Sequence, residues 1–162
     1  MASSSSDQGP TPLSYFKYDV FLNFRGFTRF DFTDVLYHAL IKARIETFRD
    51  SEKLRIGEKL EGALLEAIER SRMSVLVLCD KYPTSKWCLD ELVKIKECWE
   101  NGRPVLPIYF HVQRSDVQYE KNSYRTAMID QEKGRYKHRV EAWRSALSAV
   151  GSIYGQNISR LT

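Results

Sequence analysis

Apolar residues follow two rhythms along this chain. Short, largely apolar runs occur at Tyr18-Asp19-Val20-Phe21-Leu22-Asn23-Phe24, at Ile45-Glu46-Thr47-Phe48, at Ser74-Val75-Leu76-Val77-Leu78-Cys79 and at Val105-Leu106-Pro107-Ile108-Tyr109-Phe110. Runs of this kind suit strands buried on both faces of a parallel sheet. Between them the apolar positions recur at helical spacing. Phe32, Val35, Leu36, Ala39, Leu40 and Ala43 form one stripe, Leu60, Leu64, Ala67 and Ile68 a second, and Cys88, Leu92, Ile95 and Trp99 a third. Val140, Trp143, Leu147 and Val150 form a last one, after a weaker stretch in which a short helix over Tyr124 to Asp130 is expected. Pro107 predicts an edge position or a bulge for the fourth strand.

Strands and helices alternating at short spacing predict a parallel sheet covered by helices on both faces. With right-handed crossovers the flavodoxin-like order is the most economical. The expected fold is therefore α/β, a three-layer sandwich with a mostly parallel central sheet of four to five strands. A fifth strand has no signal of its own, and the stretch after Gly151 is ambiguous.

Thr84 and Ser85 are N-cap candidates for the helix that follows the third strand, and Asp90 and Glu91 suit the positive end of its dipole. Asn101-Gly102 ends that helix. Residues 1–14, rich in Ser and Pro, are expected to be a disordered leader, with one domain over 15–158 and a tail at 159–162. The chain has 162 residues, of which 43% are hydrophobic, enough for one globular core. No apolar run approaches a membrane span, and the Ser-rich start resembles no secretory signal. Cys79, Cys88 and Cys98 have no paired spacing, so they read as reduced core thiols and not as a zinc site or a disulfide framework. The net charge of +4 is mild and its lysines and arginines are dispersed, which argues against a nucleic-acid partner. The densest basic cluster, Arg135-Tyr136-Lys137-His138-Arg139, reads as a solvated loop or helix start.

Familiar catalytic sets are absent. There is no P-loop, no G-x-G-x-x-G and no G-x-S-x-G elbow. His38, His111 and His138 are scattered, His38 on a helix surface, and nothing pairs a cysteine with a histidine. What remains is a crevice at the carboxyl ends of the first and third strands, where open α/β sheets bind ligands. Phe24-Arg25-Gly26 leaves the first strand there. The charged loop from Arg49 to Lys59, with Lys53, Arg55 and Gly57, can fold over it. Trp87 and Glu91 close the far side, with Glu91 expected against the Trp87 ring and half out of water. Cation, aromatic and carboxylate together suit phosphate, base and ribose of a nucleotide. Taken singly, a glutamate in an early helical turn is ordinarily solvated, a lone tryptophan ordinarily packs, and Arg25 ordinarily makes a structural ion pair.

The composite is more specific than its parts. Tyr18-Asp19-Val20-Phe21-Leu22-Asn23-Phe24-Arg25-Gly26, Phe32-Thr33-Asp34, Thr47-Phe48-Arg49-Asp50, Ser85-Lys86-Trp87-Cys88-Leu89-Asp90-Glu91-Leu92, Leu106-Pro107-Ile108-Tyr109-Phe110, Ser115-Asp116-Val117 and Trp143-Arg144 stand in the order found in plant TIR domains, which the chain resembles from about Tyr15 to Ile158. The resemblance implies a flavodoxin-like immune-signalling domain of the cytoplasm or nucleus. Such domains self-associate, dock other TIR domains or sit in nucleotide-binding, leucine-rich-repeat receptors. When assembled they cleave NAD+, or the related NADP+, at the nicotinamide–ribose bond. Some also make cyclic or ribosylated nucleotides. NAD+ is then a substrate, and no resident cofactor, metal or membrane is implied. The W-C-x-x-E-L motif makes Glu91 the catalytic residue. The nucleotide crevice maps to Phe24, Arg25, Gly26, Phe27, Thr28 and Arg29 and to Gly57, with Lys53 and Trp87 as weaker matches. The alternative is a non-catalytic adaptor module. The chain is expected to be either a TIR-only protein or a fragment of a receptor.

Three departures stand out. Arg25-Gly26-Phe27-Thr28-Arg29 is one residue shorter than the family pattern and lacks its Asp, which reshapes the crevice rim. Asp34-Val35 replaces a small residue followed by His on the first helix, a self-association contact where a carboxylate would meet its own copy. Gln113-Arg114 replaces Asp-Pro.

Overall fold

The computed structural model describes residues 11–25, 32–49 and 62–159. Among these, five strands form one sheet: β1 (Tyr18–Phe24), β2 (Thr47–Arg49), β3 (Ser71–Leu78), β4 (Val105–Phe110) and β5 (Gln156–Ile158). All neighbouring strands run parallel, in the order β2-β1-β3-β4-β5. This is the flavodoxin-like order expected from the sequence. The helices are α1 (Phe32–Lys42), α2 (Gly62–Glu69), α3 (Lys86–Glu100), α4 (Arg114–Gln118), α5 (Ser123–Glu132) and α6 (Val140–Gly151).

Side chains alternate across the pleat, so the sheet divides the interior in two. Phe21, Leu76, Leu78 and Tyr109 face α2, α3, α5 and α6, where Ile68, Leu92, Ile95, Met128 and Trp143 complete the larger core. Val20, Leu22, Phe24, Val75, Val77 and Ile108 face the other way, against Phe32, Leu36, Tyr37 and Leu40 of α1. The stripe predicted for α6 is fully buried. In α3 Cys88, Leu92 and Ile95 are buried as predicted, while Trp99 is half-buried. The stripe predicted for α1 needs correction. Val35 is 69% exposed, and Ala39 and Ala43 also face solvent. The sheet offers α1 only a narrow contact through Phe32, Leu36, Tyr37 and Leu40.

Pro107 is not on an edge strand. It pairs in register with Leu76 of β3, and the ladder to β5 begins one residue later, at Ile108. Gly155 crosses directly over it: a Cβ there would fall 2.0 Å from the Pro107 carbonyl oxygen. The edge is β5, three residues long and largely polar, which is why the alternation of apolar residues does not announce it. The five-residue α4 is equally brief. It is nucleated by Asp116, whose carboxylate accepts the Gln113 N–H at 3.2 Å. Ahead of β1, Leu13–Tyr15 makes a 3-10 turn tied to the sheet by Arg70, whose Nε donates to the Tyr15 carbonyl at 2.8 Å.

Candidate functional site

The sheet order reverses between β1 and β3, so the carboxyl ends of these strands diverge into a crevice. Asn23 is the last-but-one residue of β1 and is completely buried. The chain leaving β3 turns through a 3-10 segment, Tyr82–Thr84, and enters α3 at Ser85, whose hydroxyl accepts the Cys88 N–H at 3.3 Å. Ser85, not Thr84, is the cap. Two bonds from α5 fix this turn: Tyr124 donates its hydroxyl to the Cys79 carbonyl at 2.7 Å, and Gln131 its amide to the Pro83 carbonyl at 3.0 Å. The first turns of α3 therefore lie against the end of β1, and the Cys88 thiol reaches the Phe24 carbonyl at 3.2 Å.

Glu91 is only 1% exposed. Its carboxylate points inward to the end of β1, where the Asn23 amide donates to Oε1 at 2.8 Å. Asn23 in turn accepts from the Tyr82 hydroxyl at 2.5 Å, and the same hydroxyl lies 3.2 Å from the Cys88 carbonyl. Burial pushes the Tyr82 phenol well above its usual pKa, and the nearby Cys88, Glu91 and Tyr124 push it the same way. The expectation of a half-exposed carboxylate at the crevice mouth is thus corrected: Glu91 is sealed beneath it.

Asp90, its neighbour, does not merely face the helix dipole. It accepts from Arg139 Nη1 at 2.7 Å and from the Trp143 indole at 2.9 Å, stapling α3 to α6. Arg139 therefore leaves the solvated cluster expected of residues 135–139. Trp87 is half-buried, and one face of its ring carries the Lys86 ammonium at 4.0 Å. That ammonium also lies 4.3 Å from the Tyr136 ring. Trp87 thus already has a cationic partner where base stacking was expected. Among the described residues, a cavity of about 270 Å³ opens by His111, Gln113 and Ser159, and one of about 510 Å³ by Leu65, Val93 and Trp143. Glu91 lines neither. No group of three or more His, Cys, Asp or Glu among these residues is placed to hold a metal ion.

The family model for the TIR domain matches residues 17–162. The chain belongs to the TIR-domain family. Disease resistance protein RPV1 of Vitis rotundifolia is 45% identical to this TIR domain over 159 residues, covering 97% of the chain and 11% of RPV1. TMV resistance protein N of Nicotiana glutinosa is 42% identical over 160 residues, covering 96% of the chain and 13% of that protein. The chain thus spans little more than a tenth of these curated relatives. The TIR domains of the activated Roq1 resistosome, which directly recognizes the pathogen effector XopQ, superpose with a TM-score of 0.78 at 38% identity, covering 88% of each chain. This is a TIR domain of the kind carried by plant disease-resistance proteins.

Of the residues singled out in the sequence, the TIR structure places Phe24 and Arg25 at the end of β1 and Glu91 beneath them in α3, with Trp87 one helical turn earlier. Gly26, Phe27, Thr28, Arg29, Lys53 and Gly57 lie outside the described residues. Sequence reasoning passed over Asn23 and Tyr82. Asn23 did carry a signal, as an amide inside an otherwise apolar strand run. Asp34, expected to repel its own copy, is engaged within the chain by Arg49 Nη1 at 2.9 Å, with the guanidinium 3.9 Å over the Tyr37 ring.

Proposed function

We propose that this TIR domain serves plant immune signalling by cleaving NAD+ at the nicotinamide–ribose bond once copies assemble. The observation that carries this reading is the position of Glu91, a carboxylate sealed under the switch point of a parallel sheet. A leucine there would extend the buried stripe at lower cost, because burying a carboxylate sacrifices its hydration. Phe24, Arg25 and Trp87, together with Gly26, Phe27, Thr28, Arg29, Lys53 and Gly57 outside the described residues, are proposed to contact the nucleotide.

Nicotinamide leaves with the electron pair of its bond to ribose C1′, so the reaction needs no strong acid. The ribose becomes an oxocarbenium-like cation. A carboxylate held next to it lowers the barrier electrostatically and holds the ribose hydroxyls. Water then adds at C1′ and loses a proton, giving ADP-ribose, while a nucleotide or ribose hydroxyl adding instead gives cyclic or ribosylated products. In the single copy the carboxylate is covered, so substrate reaches it only after the covering segments shift. Assembly supplies that shift in this scheme, which fits the Roq1 match to TIR domains within an assembled resistosome.

NAD+ consumption by protein crowded on a surface, with products separated by chromatography, tests the reading. Glu91→Ala lowers turnover on the order of 100-fold or more while fold and self-association persist. Equal turnover by the two proteins removes the assignment. A second reading, a non-catalytic docking module, draws on the exposed Val35 and Ile41 of α1. It requires that assembled wild type consume no NAD+ while still binding other TIR domains.

A further inference from the structure

The Asn23 side chain can face Glu91 with either end of its amide, and the two ends favour different charges on the carboxyl group. With the NH2 end forward, Asn23 donates to an ionised carboxylate. With the carbonyl forward, two acceptors would meet unless Glu91 carried a proton. Tyr82 engages the end turned away from Glu91. Its hydroxyl donates to Asn23 Oδ1 in a short bond, with the amide NH2 on the side of Glu91. The phenol thus turns the NH2 end to Glu91 Oε1 at 2.8 Å. The opposite arrangement also has a place in the fold. If the amide flips, Tyr82 accepts from Asn23 and redirects its proton to the Cys88 carbonyl, 3.2 Å away, a longer and weaker bond.

We propose that Asn23 and Tyr82 are positioning residues that hold Glu91 ionised and oriented, through an amide locked NH2-forward by the phenol. This rests on Glu91 being the reacting carboxylate of the NAD+ cleavage proposed above. Two neighbouring donors are engaged elsewhere. The Cys88 thiol on α3 is given to the Phe24 carbonyl, and the Tyr124 hydroxyl on α5 to the Cys79 carbonyl. Burial holds both Tyr82 and Tyr124 well above the usual phenol range, so each stays a neutral donor near neutral pH. Arg25, two residues beyond Asn23, is the cation next to it along the chain and is unchanged in every variant below.

The test uses the full chain labelled with carbon-13 at glutamate carboxyls, the Glu91 resonance being identified by its loss in Glu91→Gln. Tyr82→Phe removes one buried oxygen and frees the amide to flip. The Glu91 titration midpoint then rises by about one pH unit, the scale of one hydrogen bond to a charge. Asn23→Asp raises it further, because two adjoining carboxyl groups cannot both ionise readily. The acid limb of the NAD+ cleavage profile moves upward in step with the midpoint. Circular dichroism and the thermal midpoint confirm that each variant folds, and if Asn23→Asp does not, Tyr82→Phe alone decides. An unmoved midpoint in folded Tyr82→Phe, with activity lowered evenly at all pH values, overturns the proposal and leaves these residues a packing role. Should assembled wild type cleave no NAD+, the reading of Glu91 as reacting group fails on its own, while a shifted midpoint still supports the control of its proton by Asn23 and Tyr82.

Discussion

Asp90 and Glu91 are consecutive acids in one turn of α3, and their surroundings differ entirely. Asp90 meets a guanidinium and an indole at the rim of α6, whereas Glu91 enters the interior and meets an amide. Asp90→Ala strands a partly buried Arg139 and an indole N–H, so it costs about 2–3 kcal/mol, read as a lower urea midpoint. Glu91→Met removes a buried carboxyl group and adds apolar contact while leaving Asn23 one acceptor short. These effects oppose each other, and stability stays within about 1 kcal/mol of wild type by the same measurement. A loss of 3 kcal/mol or more would make Glu91 a structural necessity. The sequence shows that position 91 carries an acid near the core stripe. It does not show which way the side chain turns, because a residue on the shoulder of a stripe is buried or solvated according to what lies opposite. Here what lies opposite is Asn23, 68 residues earlier in the chain.

At the scale of elements, what could be read from the chain divides by length and periodicity. β1, β3, β4 and α6 are long and strongly apolar, and their existence and type follow from the pattern. β5 and α4 are three and five residues long, the first held by its ladder to β4 and the second by local capping bonds, so no period can reveal them. α1 shows the opposite failure: its period is clear, but the sheet face it covers takes only Phe32, Leu36, Tyr37 and Leu40, leaving Val35 and Ile41 outside. The switch-point crevice follows from strand order alone, yet Glu91 was expected at its mouth and lies underneath. β5 depends on one close crossing. Gly155→Ala drives a methyl into the Pro107 carbonyl and costs about 1–3 kcal/mol. Amide hydrogen exchange at His111, whose N–H is given to Ile158 at 2.8 Å, accelerates with it. Unchanged exchange would mean that the crossing relaxes without loosening the edge.

For the whole molecule, buried acids of high pKa set the alkaline limit of stability. Burial raises the Cys79 thiol to about 11 and the Tyr109 phenol to about 12, and it drives Tyr82 and Tyr124 well above their usual range. Each folded value exceeds the unfolded one. The neutral forms therefore stabilise the fold fully below the unfolded values, near 9 for the thiol and 10 for the phenols, and that contribution is lost as pH rises beyond them. Urea midpoints measured from pH 7 to 11 accordingly begin to decline near pH 9 and fall more steeply past 10. Among the described residues β2 and β5, the two borders of the sheet, each offer only three residues of strand. So little unpaired main chain gives another polypeptide almost nothing to zip onto, which guards against fibril growth if copies crowd together as proposed. In the proposed assembly, contact between copies would then fall to side chains on helical flanks, where contacts can be made and undone.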